Sequence, residues 1–338
     1  MPAPKKLGQQ TVAYANPPVI VATASVVGPK EGEGPLGHTF DLVIEDSYFG
    51  EESWEKAERK MLEQAVNLVL SKAQLKPQDV DYFWAGDLLN QIISANYVAR
   101  TLAIPFFGLY GARSTIYEGL ALGGYAHRRG VCPPCGGGQQ QPLQRSGKAV
   151  PVSHRARGPA PPTSQWTVTG AAAVLLAPAG NGPRITHATV GKVVDMGLKD
   201  PNDMGSAMAP AAADSIARHF QDTGRGPQDY DLILTGDLGR YGSEAAIRLL
   251  EGQNYMVRPK FSDCGVLIYD HERQDTLAGG SGCACPAVVL TSYLMGKLNE
   301  GTYRRVLALG TGALLSPTAL QQGESIPAIG HGVVIEKL

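Results

Sequence analysis

Residues 77–88 read Pro77-Gln78-Asp79-Val80-Asp81-Tyr82-Phe83-Trp84-Ala85-Gly86-Asp87-Leu88, and residues 227–238 read Pro227-Gln228-Asp229-Tyr230-Asp231-Leu232-Ile233-Leu234-Thr235-Gly236-Asp237-Leu238. Pro, Gln, both Asp, Gly, the following Asp and Leu fall in register at a constant shift of 150 positions. A shared pattern of this length is not a chance match. Its period is close to half the chain, so it marks a duplicated unit, not a solenoid of short repeats.

The bulk numbers fit that reading. The chain has 338 residues, enough for one large or two ordinary domains. Thirty basic residues face 31 acidic ones, so no nucleic-acid footprint is expected. A hydrophobic content of 43% suits a globular protein with a full core. The region after Met1 lacks a basic-then-apolar leader pattern, and no uncharged apolar run approaches the roughly 20 residues that span a bilayer. Five Cys suggest no extracellular disulfide framework. The expectation is a soluble intracellular chain, with peripheral membrane attachment through a partner left open.

Outward from the first repeat, apolar β-branched Val19–Val27 predicts a buried strand that ends in the loop Gly28–Gly37. Ser53–Ala73 has helical spacing, with Ala57, Met61, Ala65, Val66, Val69 and Leu70 on one face. Strand Val80–Ala85, helix Gln91–Leu102, strand Ile104–Tyr110, the turn Gly111–Thr115, helix Ile116–Ala126 and strand Val168–Ala177 follow. The second half replays the order. Helix Ala211–Asp222 opens after Pro210, and strand Leu232–Thr235 leads to the second Gly-Asp-Leu. Helix Ser243–Glu251, strand Val266–Tyr269, the Gly279–Cys285 turn and helix Val288–Leu298 come next, then strand Val306–Leu309, Gly310-Thr311-Gly312 and strand Val333–Glu336. Gly170 and Gly330 head matching last strands. Alternating strands and helices imply an α/β fold of mostly parallel sheets built from two similar halves, 1–178 and 179–338. Ligand sites are expected between the halves, near C-terminal strand ends.

Residues 128–161 break the pattern. They hold Cys132-Pro133-Pro134-Cys135, the runs Gly136-Gly137-Gly138 and Gln139-Gln140-Gln141 and scattered Arg, where the second half carries strand Val306–Leu309. A core strand is therefore expected to be missing from the first half. Three readings are open: a disordered insertion, a zinc half-site from Cys132 and Cys135 without a second pair, or a stretch translated out of frame. The last fits best, because one back-translation of residues 138–161 read one base over restores Ser-Ser-His and then Arg-Tyr-Pro-Thr-Glu. A gene whose frame runs unbroken, with no compensating pair of indels, excludes it.

The intact motifs carry a resemblance. They are Gly28-Pro29-Lys30 through Gly34-Pro35-Leu36-Gly37-His38, Ala85-Gly86-Asp87-Leu88-Leu89-Asn90-Gln91, Ala95–Arg100, Gly191-Lys192-Val193, Met204–Pro210, Gly279–Cys285 and Gly312–Pro317. In these the chain resembles the stage V sporulation protein AD family, over nearly everything outside residues 128–161. The resemblance implies a five-layered αβαβα thiolase-like fold. It also implies binding of dipicolinic acid, alone or as its calcium chelate, for uptake into the developing spore. The implied partners are the other SpoVA proteins at the inner spore membrane, with a homodimer expected by analogy with thiolase-like relatives. No cofactor is implied.

Thiolases and ketoacyl synthases attack with a Cys at a strand-to-helix elbow. Relatives usually carry that Cys where Arg113 stands, and a guanidinium cannot accept an acyl group. The His and Asn that complete a ketoacyl synthase site would fall near Gly236-Asp237 and Ser281-Gly282, and neither is present. Ser114 has no His with a claim to activate it. The expectation is a binding protein on a dead enzyme scaffold, with a residual acyl-CoA or acyl-carrier-protein transferase and a purely structural subunit as alternatives. A ligand with two carboxylates suits helix N-termini and a bidentate Arg113. The candidate ligand set is Arg113, Ser114, Lys30, Asp87, Asn90, Asp237, Ser281, Gly282 and His331. Asp87 and Asp237 also read as caps of the helices that follow them. Cys283, Cys285, Met204 and Met208 read as packing residues.

Overall fold

A computed structural model describes residues 4–88, 92–126, 130–132 and 160–337. The first half contributes strands β1 (Val19–Val27), β2 (Tyr82–Ala85), β3 (Phe106–Gly108), β4 (Gly130–Cys132) and β5 (Gly170–Ala177). The second contributes β6 (Arg184–Thr189), β7 (Leu232–Thr235), β8 (Phe261–Asp263), β9 (Arg305–Ala313) and β10 (Ala328–Glu336). Their spatial order is β8-β7-β9-β10-β6-β1-β5-β4-β2-β3. The order is palindromic: each half runs outward in the same sequence of equivalent strands, and β1 meets β6 at the Arg184–Val19 pair.

The main helices are α1 (Trp54–Lys72), α2 (Ile93–Leu102), α3 (Thr115–Ala126), α4 (Met204–Thr223), α5 (Gly239–Glu251) and α6 (Ala284–Val289). The last continues through a π turn, Leu290–Leu294, into Met295–Asn299. Successive strand residues point to opposite faces, and the strand side chains sort accordingly. Ala171, Ala173 and Leu175 of β5 pack with α1 and α2. Ala172, Val174 and Leu176 pack with Ile116, Tyr117 and Leu120 of α3 and with α6. Leu232, Leu234, Val306 and Ala308 join that central cluster, whereas Ile233, Leu307 and Leu309 face α4 and α5. The result is a helix, sheet, helix, sheet, helix sandwich, the expected five layers.

The paired Pro-Gln-Asp segments have a local job. Each forms a 3-10 turn whose Asp side chain accepts the amide preceding the turn: Lys76 N to Asp79 at 2.8 Å and Gly226 N to Asp229 at 2.7 Å. This sets the entry into β2 and β7.

The sheets are mixed, not mostly parallel: β9–β10, β10–β6, β6–β1, β1–β5 and β5–β4 all pair antiparallel, and only the outer strands pair parallel. Four further expectations need correction. The first half does not lack its core strand. Gly130–Cys132 pairs parallel with β2 and antiparallel with β5, as β9 does with β7 and β10, so three residues stand in for nine. Residues 133–159 of the aberrant stretch, including Cys135, lie outside the described residues. Second, Val266–Tyr269 is no strand. The strand is Phe261–Asp263, and Asp263 then accepts the Val266 amide and starts a short helix, Cys264–Leu267. Third, α4 does not open after Pro210. Asp203 accepts the Ser206 amide and begins it at Met204, so Pro210 lies inside the helix. Apolar spacing alone cannot see a cap of this kind. Fourth, α5 begins at Gly239, four residues before Ser243, because Asp263 takes the amides of Leu238 and Gly239.

A buried polar chain fastens the N-terminal arm. Thr11 Oγ1 meets Thr189 Oγ1 at 2.9 Å, Thr189 meets His219 Nδ1 at 2.7 Å, and His219 Nε2 meets the Tyr230 hydroxyl at 2.5 Å. Burial, with His187 and Arg225 nearby, lowers the His219 pKa from 6.5 to about 3. Between those values the unfolded chain holds more protons, so this histidine's contribution to stability is lost as pH falls from 6.5 toward 3. Asp87, Asp237 and Asp263 act with the opposite sign. Burial raises them to about 6, 6 and 7, so their contribution is full below their unfolded value and lost as pH rises through those values. The test is therefore a difference. In urea unfolding from pH 6 to 4, wild type is expected to lose about 1.4 kcal/mol per pH unit more than His219→Gln. Parallel curves for the two proteins would count against a neutral buried His219.

Candidate functional site

The site forms where the first-half elbow meets the second half. β3 leads into Gly111-Ala112-Arg113-Ser114, and α3 starts at Thr115. Ala112 sits at φ +49°, a left-handed value rarely adopted by a residue with a side chain. Neighbours hold it there. Thr115 Oγ1 donates to Ala112 O at 2.7 Å, Ser114 N and Oγ both donate to Gly111 O, and the Cys283 thiol donates to Ala112 O at 2.8 Å. From the other side β9 presses in. A Cβ on Gly310 would lie 2.4 Å from Tyr117 and one on Gly312 would lie 2.5 Å from Gly111 O, so this approach requires glycine at both.

The elbow aims Arg113 at the second half. Its Nε lies 3.0 Å from Asp237 Oδ2 and 3.1 Å from Ser281 Oγ, and Nη2 lies 2.8 Å from Met204 Sδ. Asp237 is wholly buried. Besides its ion pair with Arg113, its carboxylate accepts hydrogen bonds from Ser281 Oγ at 3.2 Å, Gly282 N at 3.0 Å and Thr311 Oγ1 at 3.1 Å. Burial raises its pKa to about 6, against the pull of Arg113 and these donors. Above that pH the pair is ionic. Asp263 nearby, raised by burial to about 7, adds negative charge only above that pH, and burial holds the Cys264 and Cys285 thiols neutral, far above their ordinary range.

Of the expected set, Arg113, Asp237 and Ser281–Gly282 thus come together. The rest of the expected set divides. Asp87 accepts the amides of Ile92 and Ala95 at 2.6 and 2.7 Å and so caps α2. Asp237 does not cap α5. That task falls to Asp263, which frees Asp237 for the arginine. Ser114 is fully buried, and its hydroxyl is spent on Gly111 O. Lys30 makes no bond to the Arg113 group; its ammonium lies 4.0 Å above the Trp166 ring. Trp166 pairs with Gly280, one residue from Ser281. The imidazole of His331 accepts the Gly191 amide at 3.2 Å instead of reaching Arg113. Asn90 lies outside the described residues. Sequence reading missed Thr311, although its flanking glycines hinted at a close approach, and gave Met204 a packing role when its sulfur meets the guanidinium. Among the described residues no group of three or more His, Cys, Asp or Glu is placed to hold a metal ion.

A profile of the stage V sporulation protein AD family matches residues 8–336. The chain belongs to this family. It is 46% identical over 339 aligned positions to stage V sporulation protein AD of Bacillus subtilis (strain 168), covering 98% of each chain. Among solved structures it is similar to human mitochondrial 3-ketoacyl-CoA thiolase in complex with CoA, with TM-score 0.57, 13% identity and coverage of 96% and 99%. It is also similar to 3-oxoacyl-[acyl-carrier-protein] synthase III from Aquifex aeolicus VF5, with TM-score 0.54, 13% identity and coverage of 95% and 100%. The tetronic acid condensing enzyme AbyA1 matches at TM-score 0.53 and 16% identity, over 94% and 100%. At such identities these likenesses establish the fold, thiolase-like, and not the chemistry.

Proposed function

We propose that the chain is a non-catalytic member of its family that binds dipicolinic acid, free or as its calcium chelate, during spore formation. The carrying observation is Arg113 at the elbow, 3.0 Å from Asp237, where the enzymes of this fold place a nucleophile. A guanidinium suits a carboxylate and cannot form an acyl intermediate. The adjoining α3 N-terminus favours an anion. The acyltransferase alternative has little support, since the Ser114 hydroxyl is committed to Gly111 O. The purely structural alternative draws support from the internal pairing of Arg113. In this reading the chain works with the other SpoVA proteins at the inner spore membrane, attached peripherally and as a pair of copies. No helix among the described residues is long and apolar enough to cross a membrane.

Calorimetric titration of dipicolinate, with and without calcium, tests the proposal. Wild type is expected to bind, and Arg113→Met to bind about 10- to 100-fold more weakly, the loss of one charged hydrogen-bonded contact. No heat from wild type under either condition would leave the structural alternative standing. Acyl transfer by the pure protein, abolished in Ser114→Ala, would overturn the non-catalytic half.

A further inference from the structure

We propose that Asp237 is an exchangeable counter-ion for Arg113: an incoming carboxylate takes over the guanidinium as Asp237 takes up a proton, which makes Asp237 the residue that sets the pH range of anion binding. The inference rests on the binding reading above and deepens it. Its ground is that the arginine is already half-occupied. Arg113 Nε is committed to Asp237 and Ser281 and Nη2 to Met204, whereas Nη1 has no partner among the described residues. A dicarboxylate approaching Nη1 brings negative charge beside a carboxylate that is wholly buried. Two negative charges on one guanidinium in a buried site repel, and the cheaper state is the one in which one of them is protonated.

The surroundings decide which one. From β8, Asp263 faces Asp237 with a carboxyl raised to about 7, charged above that pH and largely neutral below it, and among the described residues no second cation reaches the pair: Lys30 is held over Trp166. The Cys264 and Cys285 thiols stay neutral. Ser281, Gly282 and Thr311 supply the remaining contacts, and the two hydroxyls can turn to accept from a protonated Asp237 as readily as they donate to its anion. Asp237 already sits near pH 6, and the ligand pushes it higher. Dipicolinate carboxylates titrate below that range, so the ligand arrives as the anion. By linkage, if the anion raises the proton affinity of Asp237, the proton raises the affinity for the anion by the same factor.

The experiment is calorimetric titration of dipicolinate into wild type and Asp237→Asn at pH 8.0, 7.0 and 5.5, with wild type also run at pH 7.0 in two buffers of different ionisation enthalpy. Wild type is expected to tighten by about tenfold per pH unit from 8.0 to 7.0, to flatten below about pH 6, and to take up close to one proton per ligand at pH 7.0. Asp237→Asn, which can keep its oxygen toward Arg113 and donate to Thr311, is expected to bind at pH 8.0 at least tenfold tighter than wild type, with a much shallower pH slope, that of Asp263 alone. Binding by wild type with no proton uptake, or an unchanged slope in Asp237→Asn, overturns the exchange and leaves the binding reading intact. No binding by either protein at any pH overturns both. The proton count uses wild type alone, so a misfolded variant does not remove the test.

Discussion

Arg113→Ala is expected to destabilise the protein by about 3–5 kcal/mol, the usual cost of removing one partner from a buried ion pair. The arginine side chain is only 13% exposed and its partner is wholly buried. Without the guanidinium, Asp237 keeps the Ser281, Gly282 and Thr311 donors but loses the charge that opposes its desolvation. Its pKa then rises further above 6, and at neutral pH the carboxyl must either stay ionised and unpaired or bind a proton. The loss should therefore shrink as pH falls from 8 to 5, because a protonated Asp237 no longer needs a counter-charge. Denaturant unfolding at both pH values measures this. The double variant Arg113→Ala/Asp237→Asn is expected to recover most of the stability, since removing both charges together is often nearly neutral. A double variant no better than the single one would mean that the cost is lost packing against Met204, not broken pairing.

The two glycines of the repeated Gly-Asp-Leu are expected to respond differently to the same substitution. A Cβ on Gly86 would lie 2.1 Å from Leu109 O and 2.9 Å from Thr115 Cγ2. Leu109 cannot retreat easily, because its amide donates to Ala85 O at 2.8 Å and its backbone leads straight into the elbow. Gly86→Ala is therefore expected to cost about 1–3 kcal/mol or more, as overpacking does. It should also disturb the elbow and so weaken ligand binding. On Gly236 the nearest atoms to a new Cβ are Gly310 Cα, Pro286 Cβ and Thr311 N, all 3.4 Å away. Gly236→Ala is expected to change stability by less than about 1 kcal/mol. Paired thermal melts decide it, and equal losses would defeat the argument from close approach.

The contrast between those glycines shows how far sequence carries. The repeat itself was legible because both copies answer the same local demand. A Pro starts a 3-10 turn, an Asp two residues later caps it, and an alternating strand follows. The elbow at Gly111–Thr115 and the Gly279–Cys285 turn were legible from composition, and the resemblance to the sporulation family placed Arg113, Asp237 and Ser281 as a candidate set. What each of the set does was not legible. Asp87 and Asp237 occupy the same repeat position, yet one caps a helix and the other is a counter-ion, because Asp263 on a neighbouring strand takes the capping amides in the second half.

The sequence by itself determined the duplication, the alternation of strands and helices, and hence the α/β architecture, because these depend on periodicity and turn chemistry within a few residues. Only the tertiary structure decided that Gly130–Cys132 fills the missing strand position, that Lys30 rests on Trp166, that His331 accepts from Gly191, and that Arg113 is tied to Asp237. These contacts join residues far apart in the chain, and in the Arg113–Asp237 pair they join its two halves. The forces that set them, desolvation of a buried charge and competition for its donors, depend on which surfaces the fold brings together.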